Sequence, residues 1–425
     1  MLTDTAVQST DERLAIPAIT CRLCGSAELR SFLDLGATPP CELFLHAEAA
    51  EAPEVTYPLH VRVCDRCLLA QLPQLITPEE TFTEYAYFSS FSTSWVEHAR
   101  RFVGGAVERL GLGPDSFVVE VASNDGYLLQ HVVERGIRCL GIEPSVNVGE
   151  AAREKGVPTL TAFLTPETGA AVRAEHGGAD LVCLNNVYAH MPDVVGFTEG
   201  LRSLVADDGW VSIEVQHLLT LVERTQFDTI YHEHFQYYTL LTGQRALAAG
   251  GLTLVDVELL DTHGGSIRMW ARPSEVAGEP SERVREVLAA EEAAWLHTPE
   301  GHDGFAHTVS RVRDDLVAFL IEARRAGKRV VGYGAPGKGN SSEIFDYLPV
   351  NGDLIADACQ PLAKEGRMQA FRHRGFWQPA DTVKERTALE AAYQGGTRPW
   401  MLWEEPERDP LQAAIAALND AAIER

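Results

Sequence analysis

The chain has 425 residues, of which 45% are hydrophobic and 23% charged; 61 acidic against 36 basic side chains give a formal net charge of -25. That length allows two or three domains with cores of their own. An acidic field of this size repels phosphate backbones and anionic lipid, which argues against nucleic acid and membrane partners but not against a small nucleotide ligand held by local donors.

No apolar run is long enough to span a bilayer, and the polar start MLTDTAVQSTDERLA lacks the pattern of a signal peptide. A cytoplasmic protein is expected, and residues 1–14 read as a tail. Residues 18–75 hold short strands and turns around two cysteine pairs, Cys21 with Cys24 and Cys64 with Cys67. In that compartment a disulfide framework is not expected. Each CxxC knuckle offers two thiolates from one turn, and two knuckles close a tetrahedral zinc shell with no open position, so the metal is read as structural. Cys41, Cys139, Cys183 and Cys359 have no such spacing and read as packing residues.

From about residue 95 helix and strand alternate, the texture of a parallel sheet with crossover helices. SWVEHARRFVGGAVERLGL reads as an amphipathic helix closed by glycine, SFVVEVA as a buried strand, YLLQHVVERG as a helix and RCLGIEP as a strand. GEAAREKG (helix), ADLVCLNN (strand) and GWVSIEVQ (strand) follow. LTLVDVELLDTHGGSIRMWAR reads as a strand pair, 282–326 as a long acidic helical region, and KRVVGYGAPGKGNSSEIF as a second strand–loop–helix unit.

Within FVVEVASNDGYLL, small residues follow a strand and precede a helix, where backbone can approach a ligand and free amides are available. Ala122 stands where glycine is usual. Glu143 ends the next strand, where a carboxylate can accept from both ribose hydroxyls; its alternative role is capping the helix after Pro144. Without GxGxxG a nicotinamide cofactor fits poorly, and S-adenosylmethionine fits better. The candidate cofactor residues are Glu120, Ala122, Asn124, Asp125, Glu143, Pro144, Asn185 and Asn186, the asparagines lying at a strand's carboxyl end.

The densest polar cluster is Tyr231-His232-Glu233-His234. Its spacing is wrong for an HExxH metal site. In an extended or turning segment His232 and His234 would share a face. A histidine beside a carboxylate and a phenol suits proton abstraction near neutral pH. His190 follows the Asn185–Asn186 strand end and should face the same cleft, and Tyr85 lies where the cysteine region meets the α/β unit. The loop 332–340, GYGAPGKGN, is no P-loop; it is either a pyrophosphate cradle using Tyr333, Lys338 and Asn340 or a tight turn.

CRLCG, CDRCLLAQL, YAYFSSFSTSW, EVASNDG, GIEPS, NNVYAHMPD, FDTIYHEHFQYYT, THGGSIRM and GYGAPGKGN, taken in order from about 20 to 345, resemble the nucleotide-sugar 3-C-methyltransferases of branched deoxysugar pathways. The resemblance implies an α/β protein with an N-terminal zinc-binding domain (1–84), a central Rossmann-like S-adenosylmethionine domain (85–250) and a C-terminal Rossmann-like domain (251–425), with a sugar nucleotide between the last two. It implies His234 as base, Tyr231 as its neighbour or substitute, and Glu233, His190 and Tyr85 lining the sugar pocket. From about 353 the chain resembles instead the C-terminal part of glucose-1-phosphate cytidylyltransferases. The nucleotidyltransferase's own N-terminal signature is missing, so no cytidylyl transfer is expected. The reading is C-methylation of a nucleoside-diphosphate 4-keto-hexose at C3 by a monomer. Its rivals are N- or O-methylation of a similar sugar and a non-catalytic scaffold.

Overall fold

The computed structural model describes residues 19–41, 54–83, 85 and 87–326. In chain order the strands are β1 (Leu29–Thr38), β2 (Tyr57–Cys64), β3 (Ala70–Gln71), β4 (Phe117–Val121), β5 (Arg138–Ile142), β6 (Thr159–Leu160), β7 (Ala179–Asn185), β8 (Val205–Gln216), β9 (Gln236–Tyr237), β10 (Leu252–Leu260) and β11 (Ser266–Pro273). The helices are α1 (Pro78–Phe82), α2 (Thr93–Leu110), α3 (Gln130–Val133), α4 (Val146–Glu154), α5 (Pro166–His176), α6 (Val194–Leu204), α7 (Leu218–Glu223), α8 (Leu240–Ala249), α9 (Glu282–Ala293) and α10 (Phe305–Arg325). No helix among the described residues is long and apolar enough to cross a membrane.

The larger sheet runs β10-β11-β8-β7-β4-β5-β6. β8, β7, β4, β5 and β6 are mutually parallel, and β11 and β10 add antiparallel strands. This is the expected α/β methyltransferase fold. β4, FVVEV, is buried at every position because helices cover both faces of a parallel sheet. The chain leaves β4 toward β5 and β6, then returns to place β7 on β4's other side. Between β4 and β7 the winding direction reverses, and a crevice opens at the carboxyl ends of such strands.

Two expected elements take another form. YLLQHVVERG is helical only over α3, because His131 and Val132 donate to the carbonyls of Leu128 and Leu129, three residues back, and tighten the first turn. The acidic region 282–326 is two helices, broken where Trp295 adopts a left-handed φ of 65°.

The smaller antiparallel sheet runs β1-β2-β3-β9. Its last strand comes from far along the chain: Ala70 pairs with Tyr237 and Gln71 with Gln236. The cysteine region and the HEH segment therefore share one sheet. Just beyond, Glu291 of α9 is 0% exposed and accepts from Leu240 N, Leu241 N, His217 Nε2 and His297 Nε2. It caps the otherwise unpaired amides of α8. Replacing Glu291 with Ala strands two amides and two imidazoles, and we expect a loss of about 3 kcal/mol, read as a lowered urea midpoint; an unmoved midpoint would show that the cap is dispensable.

Candidate active site and zinc centre

Cys21 and Cys24 sit on a turn closed by Gly25 N donating to Cys21 O at 2.8 Å; Cys64 and Cys67 sit on one closed by Leu68 N donating to Cys64 O at 2.8 Å. Both turns need left-handed backbone, supplied by Gly25 (φ 71°) and Leu68 (φ 65°). The four sulfurs lie within 4.8 Å of one another, with Cys21–Cys67 at 3.4 Å and Cys24–Cys64 at 3.6 Å. A zinc with sulfurs at about 2.3 Å needs tetrahedral edges of about 3.8 Å, so the set fits. Sulfurs this close compete for protons: the Cys67 thiol draws Cys21 down to about 4, the same hydrogen bond pushes Cys67 up, and burial pushes Cys64 up. A divalent cation removes that conflict by binding all four as thiolates.

The candidate methyl-donor edge is the turn after β4. Ala122 and Asn124 adopt φ of 52° and 50°, so Ala122 takes the conformation glycine would give, and Ala122 N donates to Ile142 O at 2.7 Å. A Cβ on Gly126 would lie 2.9 Å from Val157 Cγ2, so only glycine lets the turn pack on α4. Glu143 is buried; its Oε2 accepts from Asn124 N at 2.8 Å and its Oε1 from Ser145 N at 2.9 Å. Burial raises its pKa, opposed by those amides. Pro144 beside it is half-buried.

Glu120 is buried with neither oxygen in a hydrogen bond of normal geometry, and Asn185 Oδ1 and Ser123 Oγ are likewise unmatched. Burial raises the Glu120 pKa strongly, against the pull of the nearby Tyr127 hydroxyl. Unmatched buried acceptors around a tight strand-to-helix turn fit a ligand carrying an ammonium and hydroxyls, as this methyl donor does. The Asn124 and Asp125 side chains reach segment 87–90.

The HEH segment is a turn, with His234 N donating to Tyr231 O at 3.0 Å. The expectation that His232 and His234 share a face is thereby corrected. His232 is buried and its Nε2 meets Tyr57 O at 3.0 Å, on the small sheet. His234 turns to Tyr231: the rings are 3.9 Å apart, and Tyr231 Oη lies 2.6 Å from His234 Nε2. His234 Nδ1 is 3.1 Å from Thr229 O, which can only accept, so Nδ1 carries the proton and Nε2 takes the phenol's hydrogen bond.

His190 lies 4.7 Å from the His234 ring and donates through Nδ1 to Glu233 O at 2.8 Å. Burial pushes its pKa down to about 4. The Glu233 carboxylate is buried, with the Cys41 thiol 3.6 Å from Oε2. Cys41, expected to pack only, thus borders the cluster. Asn147 holds the Tyr85 backbone on both sides, and Phe82 bridges Tyr85 to His190 at 5.3 and 5.4 Å between ring centroids.

A small cleft is lined by Asn186, Ala189, Val215, Gln216, His234, Gln236 and Tyr237. Asn186, in a left-handed φ of 57°, is thus brought beside the base candidate. Sequence reasoning missed Gln216, Gln236, Tyr237 and the buried group at Glu214. Although burial pushes Glu214's carboxyl up, His98, Arg268 and Thr262 hold it at about 2. Those partners come from α2, β11 and the THGG turn, and no local spacing announces them. Tyr333, Lys338, Asn340 and the segment from about 353 lie outside the described residues.

Family models match in the same order: a zinc binding domain over 21–82, a methyltransferase domain over 95–257 and a C-methyltransferase C-terminal domain over 261–385. C-methyltransferase NovU of Streptomyces niveus is 36% identical over 325 residues, which cover 76% of this chain and 77% of that protein. The chain belongs to the C-methyltransferase family.

It is an S-adenosylmethionine-dependent C-methyltransferase with a structural zinc. Glucose-1-phosphate cytidylyltransferase of Salmonella typhimurium is 46% identical over 43 residues, 10% of this chain and 17% of that enzyme. A probable counterpart in Bacillus subtilis is 34% identical over 65 residues, 15% of this chain and 26% of that protein. Among solved structures, magnesium protoporphyrin IX methyltransferase from Synechocystis with bound S-adenosylhomocysteine is similar at 17% identity over 42% of this chain and 83% of that one, with a TM-score of 0.33. Metal analysis should find one zinc per chain. Replacing Cys21 or Cys64 with Ser should remove it and lower the melting temperature; full zinc content in both variants would contradict the four-thiolate site.

Proposed function

We propose that this C-methyltransferase acts on C3 of a 4-keto deoxyhexose linked to a nucleoside diphosphate, through a base-generated enolate. The observation that supports this most is the Tyr231–His234 contact of 2.6 Å, with His234 held in one tautomer and sharing a cleft with Asn186. C-methylation beside a ketone requires a base that removes a carbon-bound proton, whereas N- or O-methylation of a sugar needs no base for carbon acidity. The 4-keto group acidifies C3–H. The Tyr231 oxygen takes that proton as its own passes to His234 Nε2, leaving the pair one proton richer. Thr229 O steadies the imidazolium that forms.

S-adenosylmethionine, when bound, supplies a sulfonium-activated methyl group for the carbanionic carbon. Glu120, Ala122, Asn124, Asp125, Glu143, Pro144, Asn185 and Asn186 are the residues we assign to holding it. His190, kept neutral by burial, has its Nδ1 spent on Glu233 O and serves the pocket as a neutral wall rather than a second base. Glu233 and Tyr85 complete that wall. Donors that bind the enolate oxygen better than the ketone would supply much of the acceleration.

The pyrophosphate falls to Tyr333, Lys338 and Asn340 in this reading, and domains at 1–84, 85–250 and 251–425 working as a cytoplasmic monomer complete it. His234→Asn should lower methyl transfer by at least about 100-fold while the S-adenosylhomocysteine affinity, measured by calorimetry, stays within about twofold. Normal turnover in that variant would sink the assignment of the base.

A further inference from the structure

The side chains of the loop after β4 grip a neighbouring segment. Asn124 Oδ1 accepts from Ser89 N at 2.8 Å and Asn124 Nδ2 donates to Tyr87 O at 3.1 Å. Asp125 Oδ1 accepts from Ser90 N at 3.2 Å, and its Oδ2 accepts from the Ser90 hydroxyl. Lys155, which caps the end of α4, donates to Asp125 Oδ2 at 2.7 Å, to Ser90 Oγ at 2.9 Å and to Asp125 O at 3.1 Å. We propose that Lys155 and Ser90 are positioning residues of the methyl-donor site: through Asp125 they hold segment 87–91 against the loop after β4, and the donor enters and leaves when this latch parts.

Three physical features support the assignment. Asp125 is 1% exposed, so its carboxylate requires partners that also satisfy its charge, and Lys155 with Ser90 are those partners. Lys155 itself reaches in from the surface with 36% of its side chain exposed, so the latch can open toward water without unpacking the core. The segment it holds is a single 3-10 turn, Ser89–Phe91, that belongs to neither sheet, and its release breaks no strand ladder. The same loop supplies Ala122 and meets Glu143 through Asn124 N. Whatever binds there has segment 87–91 as a neighbour.

The latch rests on the donor site alone, so failure of the sugar reading would leave its test intact. In the full-length protein, S-adenosylhomocysteine would be displaced in a stopped-flow experiment that gives association and dissociation rates separately. Ser90→Ala removes the hydroxyl's bonds with Asp125 and Lys155 while sparing the Lys155–Asp125 pair, and should speed dissociation roughly tenfold and association in the same direction, because entry and exit share one latch. Lys155→Met should act in the same direction, and Lys155→Arg, which keeps the cation, should behave as wild type. Should Lys155→Met fail to fold, Ser90→Ala decides. Dissociation within twofold of wild type in Ser90→Ala, or an acceleration by Lys155→Arg as large as that of Lys155→Met, would overturn the proposal.

Discussion

The account depends on one contact, between the Tyr231 hydroxyl and the imidazole of His234, the base we propose. Thr229 O can only accept, so it fixes the proton of His234 on Nδ1 and leaves Nε2 to the Tyr231 hydroxyl. Everything that holds the turn at 229–234 therefore matters to the base. Phe235 N donates to Ala189 O at 2.7 Å, and Gln236 Nε2 donates to Met191 O at 2.6 Å, which ties the turn to the loop carrying His190. β9 then joins β3, directly behind the second cysteine knuckle. The second cysteine knuckle and the turn of the proposed base are thus linked through one sheet.

Arg22, between the first two cysteines, strengthens that link. Its guanidinium donates to Pro192 O at 2.6 Å and to Leu72 O, and it lies 5.4 Å over the Phe235 ring. Burial of a guanidinium is costly unless its donors are matched, so these contacts bind the zinc region to the methyltransferase core. Arg245 of α8 adds a bond to Cys67 O at 2.8 Å. Asn186 directly follows β7 and lines the small cleft that holds His234.

Much of this was legible in the sequence wherever the signal is local. The CxxC pairs could be read because one turn sets the spacing of two thiolates, and β4, β5 and β7 because buried parallel strands are mostly apolar. The cluster at 231–234 stood out by composition, and the structure brings Tyr231, His234 and His190 together. What failed to show was long-range or depended on turn geometry. Alternation predicted one face for His232 and His234, but a turn sends one to Tyr57 and the other to Tyr231. Cys41 looked idle because its partner, Glu233, is distant in the chain. Asn124 and Asp125 sit in the donor loop as expected, yet their side chains grip a segment whose own sequence gives no hint of it. β9, two residues long, leaves no periodic trace at all.

The central claim is that the Tyr231–His234 pair removes a proton from a ketone-activated carbon. Incubating the enzyme in deuterium oxide with a nucleoside-diphosphate 4-keto-6-deoxyhexose, without methyl donor, and following C3 by NMR tests this most directly. Deuterium should enter at C3 in the wild type and fail to enter in a Tyr231→Phe, His234→Asn double variant. Methyl transfer that proceeds with no exchange at C3, and with the new methyl on oxygen or nitrogen, would contradict it.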